Sequence, residues 1–184
     1  MTPNDAAAWV KANIADWPTL RLHVALELLG RYGVPQEHTR RHLTWYDNAP
    51  WKRTILAREG AAHNFPRRHE DILEQTINYR VPEEKLAELA AYNGSILVDR
   101  TRGELTAHCD SEQANILTLN IADDIIRGDR TADQGMGYHA QVVRGIEIGE
   151  PETYPQKLKF KVAASARETA DAGEEAPLLR HLGE

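Results

Sequence analysis

The sequence predicts an α+β fold: an N-terminal helical region followed by a ferredoxin-like βαββαβ unit, a four-stranded antiparallel sheet with helices on one face. Three observations carry this. The first third of the chain has apolar residues at helical spacing, the stretch from residue 72 switches to period-two alternation, and SILVDRTRGELTAHCD reads as a hairpin. The expected division is 1–62 helical, 63–162 ferredoxin-like and 163–184 a flexible acidic tail.

In chain order, Asn4 or Asp5 suits the cap of a helix to about Ile14, and Pro18 suits a first helical position. Leu22, Ala25, Leu26, Leu29 and Tyr32 follow at i, i+3, i+4, i+7 and i+10, up to Gly33. Pro35 opens a short helix over PQEHTRRHL, Pro50 opens another over PWKRTILARE, and GAAHNFP is irregular. In ILEQTINYRV, Leu73, Ile77, Tyr79 and Val81 share one parity and Glu74, Thr76, Asn78 and Arg80 the other, as in a half-buried strand. Pro82, Glu83 and Glu84 start a helix that Gly94 ends.

The hairpin is expected to turn on Thr101, Arg102 and Gly103, with Arg100 opposite Glu104, Val98 opposite Thr106 and Ile96 opposite His108. Asp110 with Gln113 and Thr131 with Gln134 resemble capping boxes for two further helices. Leu158, Phe160 and Val162 alternate with three lysines as a last strand. The resulting strand order is 4-1-3-2, with Leu97, Leu105, Ala107 and Cys109 on the helix-facing side.

Charge is unevenly spread. From Arg31 to His69 eight Lys or Arg face three acids, which makes +5 in a chain of net charge −6 and leaves −11 elsewhere. That points to an anion. The leading expectation is a binding module for a small anionic ligand, a nucleotide or phosphorylated metabolite. Its ligand set is Arg40, Arg41, Arg67, Arg68 and Arg100, at the junction of the basic segment and the exposed sheet face. Specific nucleic-acid binding is not expected. A helix-turn-helix anchored on Gly33 needs apolar residues where Thr39 and His42 stand, and the sheet face lacks the stacking aromatics of an RNA-recognition module.

A second expectation is a small enzyme using a His–carboxylate pair, with catalytic residues His63, His69, Glu74 and His108. A third is homo-oligomeric assembly through the open sheet face, seeded by Ile96 and Val98. No metal site is expected and no cofactor is assigned. His38 and His42 are at i, i+4, but two arginines lie between them, and the five residues separating His63 from His69 across Pro66 impose no geometry. The single cysteine, Cys109, excludes an internal disulfide framework and reads as a small buried residue. No nucleophile elbow, Walker loop or dinucleotide fingerprint is present. No apolar run approaches the roughly 20 residues of a membrane span, and the N-terminus lacks a signal pattern, so a cytoplasmic location is expected.

Overall fold

The computed structural model describes residues 3–150, 154–171 and 173. It is α+β. Helices α1 (Pro3–Asn13) and α2 (Thr19–Tyr32) precede strands β1 (Glu37–His38), β2 (His42–Tyr46), β3 (Arg53–His63) and β4 (His69–Asn78). A 3₁₀ turn and α3 (Leu86–Tyr92) lead to β5 (Ile96–Asp99) and β6 (Glu104–Cys109), followed by α4 (Glu112–Arg127) and α5 (Ala132–Glu147). The strands form one antiparallel sheet in the order β1-β2-β3-β4-β6-β5.

The described helices lie on one side of the sheet, with α5 stacked on α3 and α4. The Val10, Ile14, Val24 and Leu28 side of α1 and α2 packs on Leu43, Trp45, Leu56 and Leu73, while α3 and α4 cover the part of the sheet that carries Ile77, Leu105 and Ala107. Leu73 and Ile77 share one parity of β4, so both layers lie on the same side. Where α2 meets α4, Glu112 joins them. One carboxylate oxygen accepts hydrogen bonds from Tyr32 Oη (2.9 Å), Trp51 Nε1 (3.1 Å) and Gln75 Nε2 (2.7 Å), and the other is paired with Arg31.

Several expectations are corrected. The sheet has six strands rather than four, and residues 35–43 and 50–59 contribute to β1, β2 and β3 instead of helices. Thr54 and Leu56 are buried at a spacing of two with Arg53 and Ile55 half-buried, which is a strand's period, while in β2 Leu43, Thr44 and Trp45 are all buried. Pro35 and Pro50 serve the turns before these strands. The sheet therefore runs without a break through the expected boundary at residue 62.

The stretch from Leu158 to Val162 is not a strand. Beside β4, on the side away from β6, lies β3. The backbone of 154–159 is tied to α4 instead: Asn120 Nδ2 donates to the carbonyls of Tyr154 (2.7 Å) and Lys157 (2.9 Å), and its Oδ1 accepts from Lys159 N (2.8 Å).

The β5–β6 hairpin slips by one residue from the expected register. Asp99 pairs with Glu104 and Ile96 with Ala107. Asp99 Oδ1 accepts from Arg102 N, and Gly103 takes φ +64°, which closes a four-residue turn. A one-residue slip reverses the faces. Leu97 is accordingly 54% exposed, while Ile96 and Val98, expected on the open face, pack into the core.

The cap of α4 is Ser111, which accepts from Ala114 N, rather than Asp110; the Thr131–Gln134 capping box of α5 is present as expected. The expected flexible tail is docked as far as Asp171. Thr169 is buried and donates to Gly103 O, and Asp171 pairs with Arg100. Residue 172 and residues 174–184 of that tail lie outside the described residues.

Candidate metal centre

The β3–β4 hairpin places His63 directly opposite His69 and Ala61 opposite Asp71, across loop 64–68. Strand alternation keeps His69, Asp71 and Leu73 on the helix-facing side. Cys109, at the end of β6, pairs with Leu73 and so joins that side. Between Leu56 and Ala61 the register shifts: β3 advances five positions while β4 advances two. This bulge re-aims the last residues of β3 over the end of the sheet. Gly60 sits within it against β4, where a Cβ would stand 2.6 Å from Ile72 Cγ2 and 2.8 Å from Asp71 O.

The side chains converge on Asp71, whose side chain is 3% exposed. His63 Nδ1 lies 3.2 Å from its Oδ2, and His69 Nε2 lies 3.0 Å from its Oδ1. Donor atoms of all three residues lie within 4.8 Å of one another. Ser95 donates to Asp71 Oδ2 and also approaches His63 Nδ1 at 3.3 Å. Ser95 is itself placed by its backbone N–H, which donates to Asn93 Oδ1.

His69 Nδ1 lies 2.8 Å from the Arg67 carbonyl. A carbonyl only accepts, so Nδ1 carries the hydrogen and, in the neutral ring, Nε2 carries a lone pair. That lone pair faces Asp71 Oδ1, which is buried with no hydrogen-bond donor among the described residues. Cys109 Sγ stands 3.4 Å from the same Nε2. Electron-rich atoms gathered in a buried place call for a cation between them, either a proton or a metal ion.

Around this group, burial, with a smaller contribution from the neighbouring His69 and His63, drives His139 down to about 4. His139 is therefore neutral near pH 7, with Nδ1 2.8 Å from Tyr92 Oη and its ring edge-on to Phe65. Burial, reinforced by Asp110, pushes the Cys109 thiol up to about 12, so it is no free thiolate nucleophile. His69, Cys109 and His139 line a pocket of about 140 Å³ floored by Leu117 and Val143. It adjoins a wider cleft of about 740 Å³ between α2 and α4, and Arg67 borders both.

The residues singled out from sequence are only partly brought together. His63 and His69 meet. Glu74 and His108 are directly paired across β4 and β6, as the strand order implied, but their parity puts them on the face opposite the helices. Glu74 is 3.8 Å from Arg53. Arg40 and Arg41 are exposed in the β1–β2 turn, and Arg68 is exposed in the β3–β4 turn. Arg67 reaches Glu147 (3.2 Å) and Asp110 (3.9 Å). Arg100 lies at the other end of the sheet, paired with Glu83 and Asp171. Sequence reasoning missed Asp71, Ser95 and His139, whereas Cys109 is the small buried residue it was expected to be. The available signal was His69-Glu70-Asp71, an alternation that continues the strand read as starting at residue 72.

No known protein family, curated protein or solved structure matches the chain. Among the described residues no helix is long and apolar enough to cross a membrane.

Proposed function

We propose that this is a metal-binding protein whose His63, His69 and Asp71 hold a divalent transition-metal ion. One observation carries the reading: the buried Asp71 Oδ1 has no hydrogen-bond donor among the described residues and faces the lone-pair side of His69 Nε2. The donor set suits it, since imidazole and carboxylate together favour zinc-like ions over calcium or magnesium. The surroundings also suit it. The Arg67 carbonyl fixes the tautomer of His69, and Ser95 orients the carboxylate, as outer-shell groups do around metal ligands.

Equilibrium dialysis of the full chain against Zn²⁺ tests this. One retained equivalent, lost in His69→Ala and Asp71→Ala, is expected. Failure of the wild-type chain to retain Zn²⁺ rules the reading out.

A second reading keeps the same residues without metal. A proton on His69 would make an imidazolium–carboxylate pair with Asp71 at 3.0 Å, an acid–base centre opening on the 140 Å³ pocket. Activity that survives exhaustive chelation and fails in Asp71→Asn would favour it. The small-anion reading has less behind it, because its five arginines are spread over both ends of the sheet and two of them are already ion-paired.

A further inference from the structure

Resting on the metal-binding reading, we propose that the centre is open: the ion keeps a coordination position for a small exogenous anion, bound through oxygen or nitrogen and entering from the 140 Å³ pocket. The donor count supports this. Structural zinc sites are closed by four protein ligands, whereas catalytic ones use three and leave a position for water or substrate. Among the described residues, the His, Cys, Asp and Glu donors gathered within 4.8 Å of one another are those of His63, His69 and Asp71. Cys109 Sγ approaches His69 Nε2 alone and falls outside that group. The Ser95 hydroxyl is engaged with Asp71 Oδ2.

Charge sets the class of ligand. Two neutral imidazoles and one carboxylate leave a divalent ion with one positive charge uncompensated. The place is buried, since the Asp71 side chain is 3% exposed. A buried charge is costly until it is paired. An anion on the ion supplies the missing negative charge, which a neutral or cationic ligand does not. Its binding is a ligand exchange: a metal–water bond breaks, a metal–anion bond forms, and the water leaves, with no change in oxidation state.

The pocket sets size and route. An apolar cavity of about 150 Å³ holds one benzene molecule, so 140 Å³ admits a single small anion, from azide or acetate up to a one-ring carboxylate. Leu117 and Val143 offer such a ligand an apolar floor. His139 lines the pocket as well, and because its Nδ1 is engaged with Tyr92 Oη, Nε2 is the ring nitrogen left for a ligand. Of the three metal-binding residues, His69 lines the pocket. Cys109 lines it too, with Sγ 3.4 Å from His69 Nε2, the nitrogen that faces Asp71. Cys109 therefore stands beside the way from the pocket to the ion. Its short side chain decides what can pass and is not itself a ligand.

The test is the full chain loaded with one equivalent of Co²⁺, whose visible ligand-field bands report its coordination shell, titrated with sodium azide at constant ionic strength. The expected result is a saturable change in the bands while dialysis shows the Co²⁺ still retained. Cys109→Leu is expected to keep the Co²⁺ and to weaken azide binding at least about 10-fold by crowding the way in. Cys109→Ala should bind azide no more weakly than wild type. Bands that ignore azide in a chain that retains Co²⁺ overturn the open position and leave the three-residue centre standing. An equal azide response in wild type and Cys109→Leu overturns entry from the pocket. No binding of Co²⁺ or Zn²⁺ overturns both readings. Should Cys109→Leu fail to fold, X-ray absorption on zinc-loaded wild-type protein reads the shell directly. Nitrogen and oxygen alone at about 2.0–2.2 Å are expected, and a sulfur at about 2.3 Å overturns the inference.

Discussion

At the scale of single residues, Asp71 is served by Ser95 and His139 is shaped by burial, and each gives a measurable consequence. Ser95 touches the carboxylate rather than the proposed ion, so it is a positioning residue. Ser95→Ala is expected to weaken Zn²⁺ binding by about 10–100-fold while leaving the stoichiometry at one, as outer-shell losses do; competition with a chromophoric chelator reads this. His139 titrates near 4 in the fold instead of at its ordinary 6.5. Between those values the unfolded chain binds the extra proton, so stability rises with pH. The contribution is complete above about 6.5 and is lost as pH falls toward 4, on the order of 3 kcal/mol in all. In metal-free protein, denaturant unfolding at a series of pH values should show wild type losing stability over this window more steeply than His139→Gln. Parallel curves would refute the assignment.

At the scale of elements, the β3 bulge positions the site. A Cβ at Gly60 meets both the side chain of Ile72 and the backbone of Asp71. Gly60→Ala is therefore expected to cost about 1–3 kcal/mol and, by moving Asp71, to lower metal affinity as well. Unchanged unfolding and binding would show that the bulge relaxes freely.

The same element explains what the sequence did and did not reveal. Strands β4, β5 and β6 and helices α2 to α5 were legible because each couples a clean period to a boundary signal, such as the stops Gly33 and Gly128 or the Thr131 box that starts α5. The neighbourhood β4-β6-β5 followed from them. Strands β2 and β3 were obscured because Pro35 and Pro50 mimic helix starts, and because TILAREGAAH breaks its own alternation at the bulge. With β3 unread, His63 had no strand to sit on, and its pairing with His69 could not be deduced. The hairpin register failed by one residue because Asp99 caps the turn, a side-chain preference that cross-strand charge pairing does not reveal.

At the scale of the whole molecule, Glu112 binds the two halves of the helical layer. Its side chain is 12% exposed and serves three neutral donors as well as Arg31. Glu112→Ala removes the acceptor of the Tyr32 hydroxyl and leaves Trp51 Nε1 only Tyr32 Oη (3.1 Å) and Gln75 Nε2 only Thr54 Oγ1 (3.4 Å), so a loss of about 1–3 kcal/mol is expected. Both halves should melt together in wild type, and urea unfolding followed by Trp fluorescence and circular dichroism checks this through coincident transitions.

The strand order carries a kinetic consequence. Counted along the sheet, only β5 and β6 depart from chain order, so β1 to β4 close as successive hairpins and β5–β6 as another. The one pairing that spans a helix is β4 with β6, where Thr76 and Thr106 share a hydrogen bond of 2.9 Å. Loop-closure entropy is then concentrated in a single docking event between two preformed pieces. Substitutions at that seam should slow refolding, while those within the β2–β3 ribbon should chiefly hasten unfolding. The rate at which this chain reaches its native state is thus expected to be set at the junction that brings Cys109 beside His69.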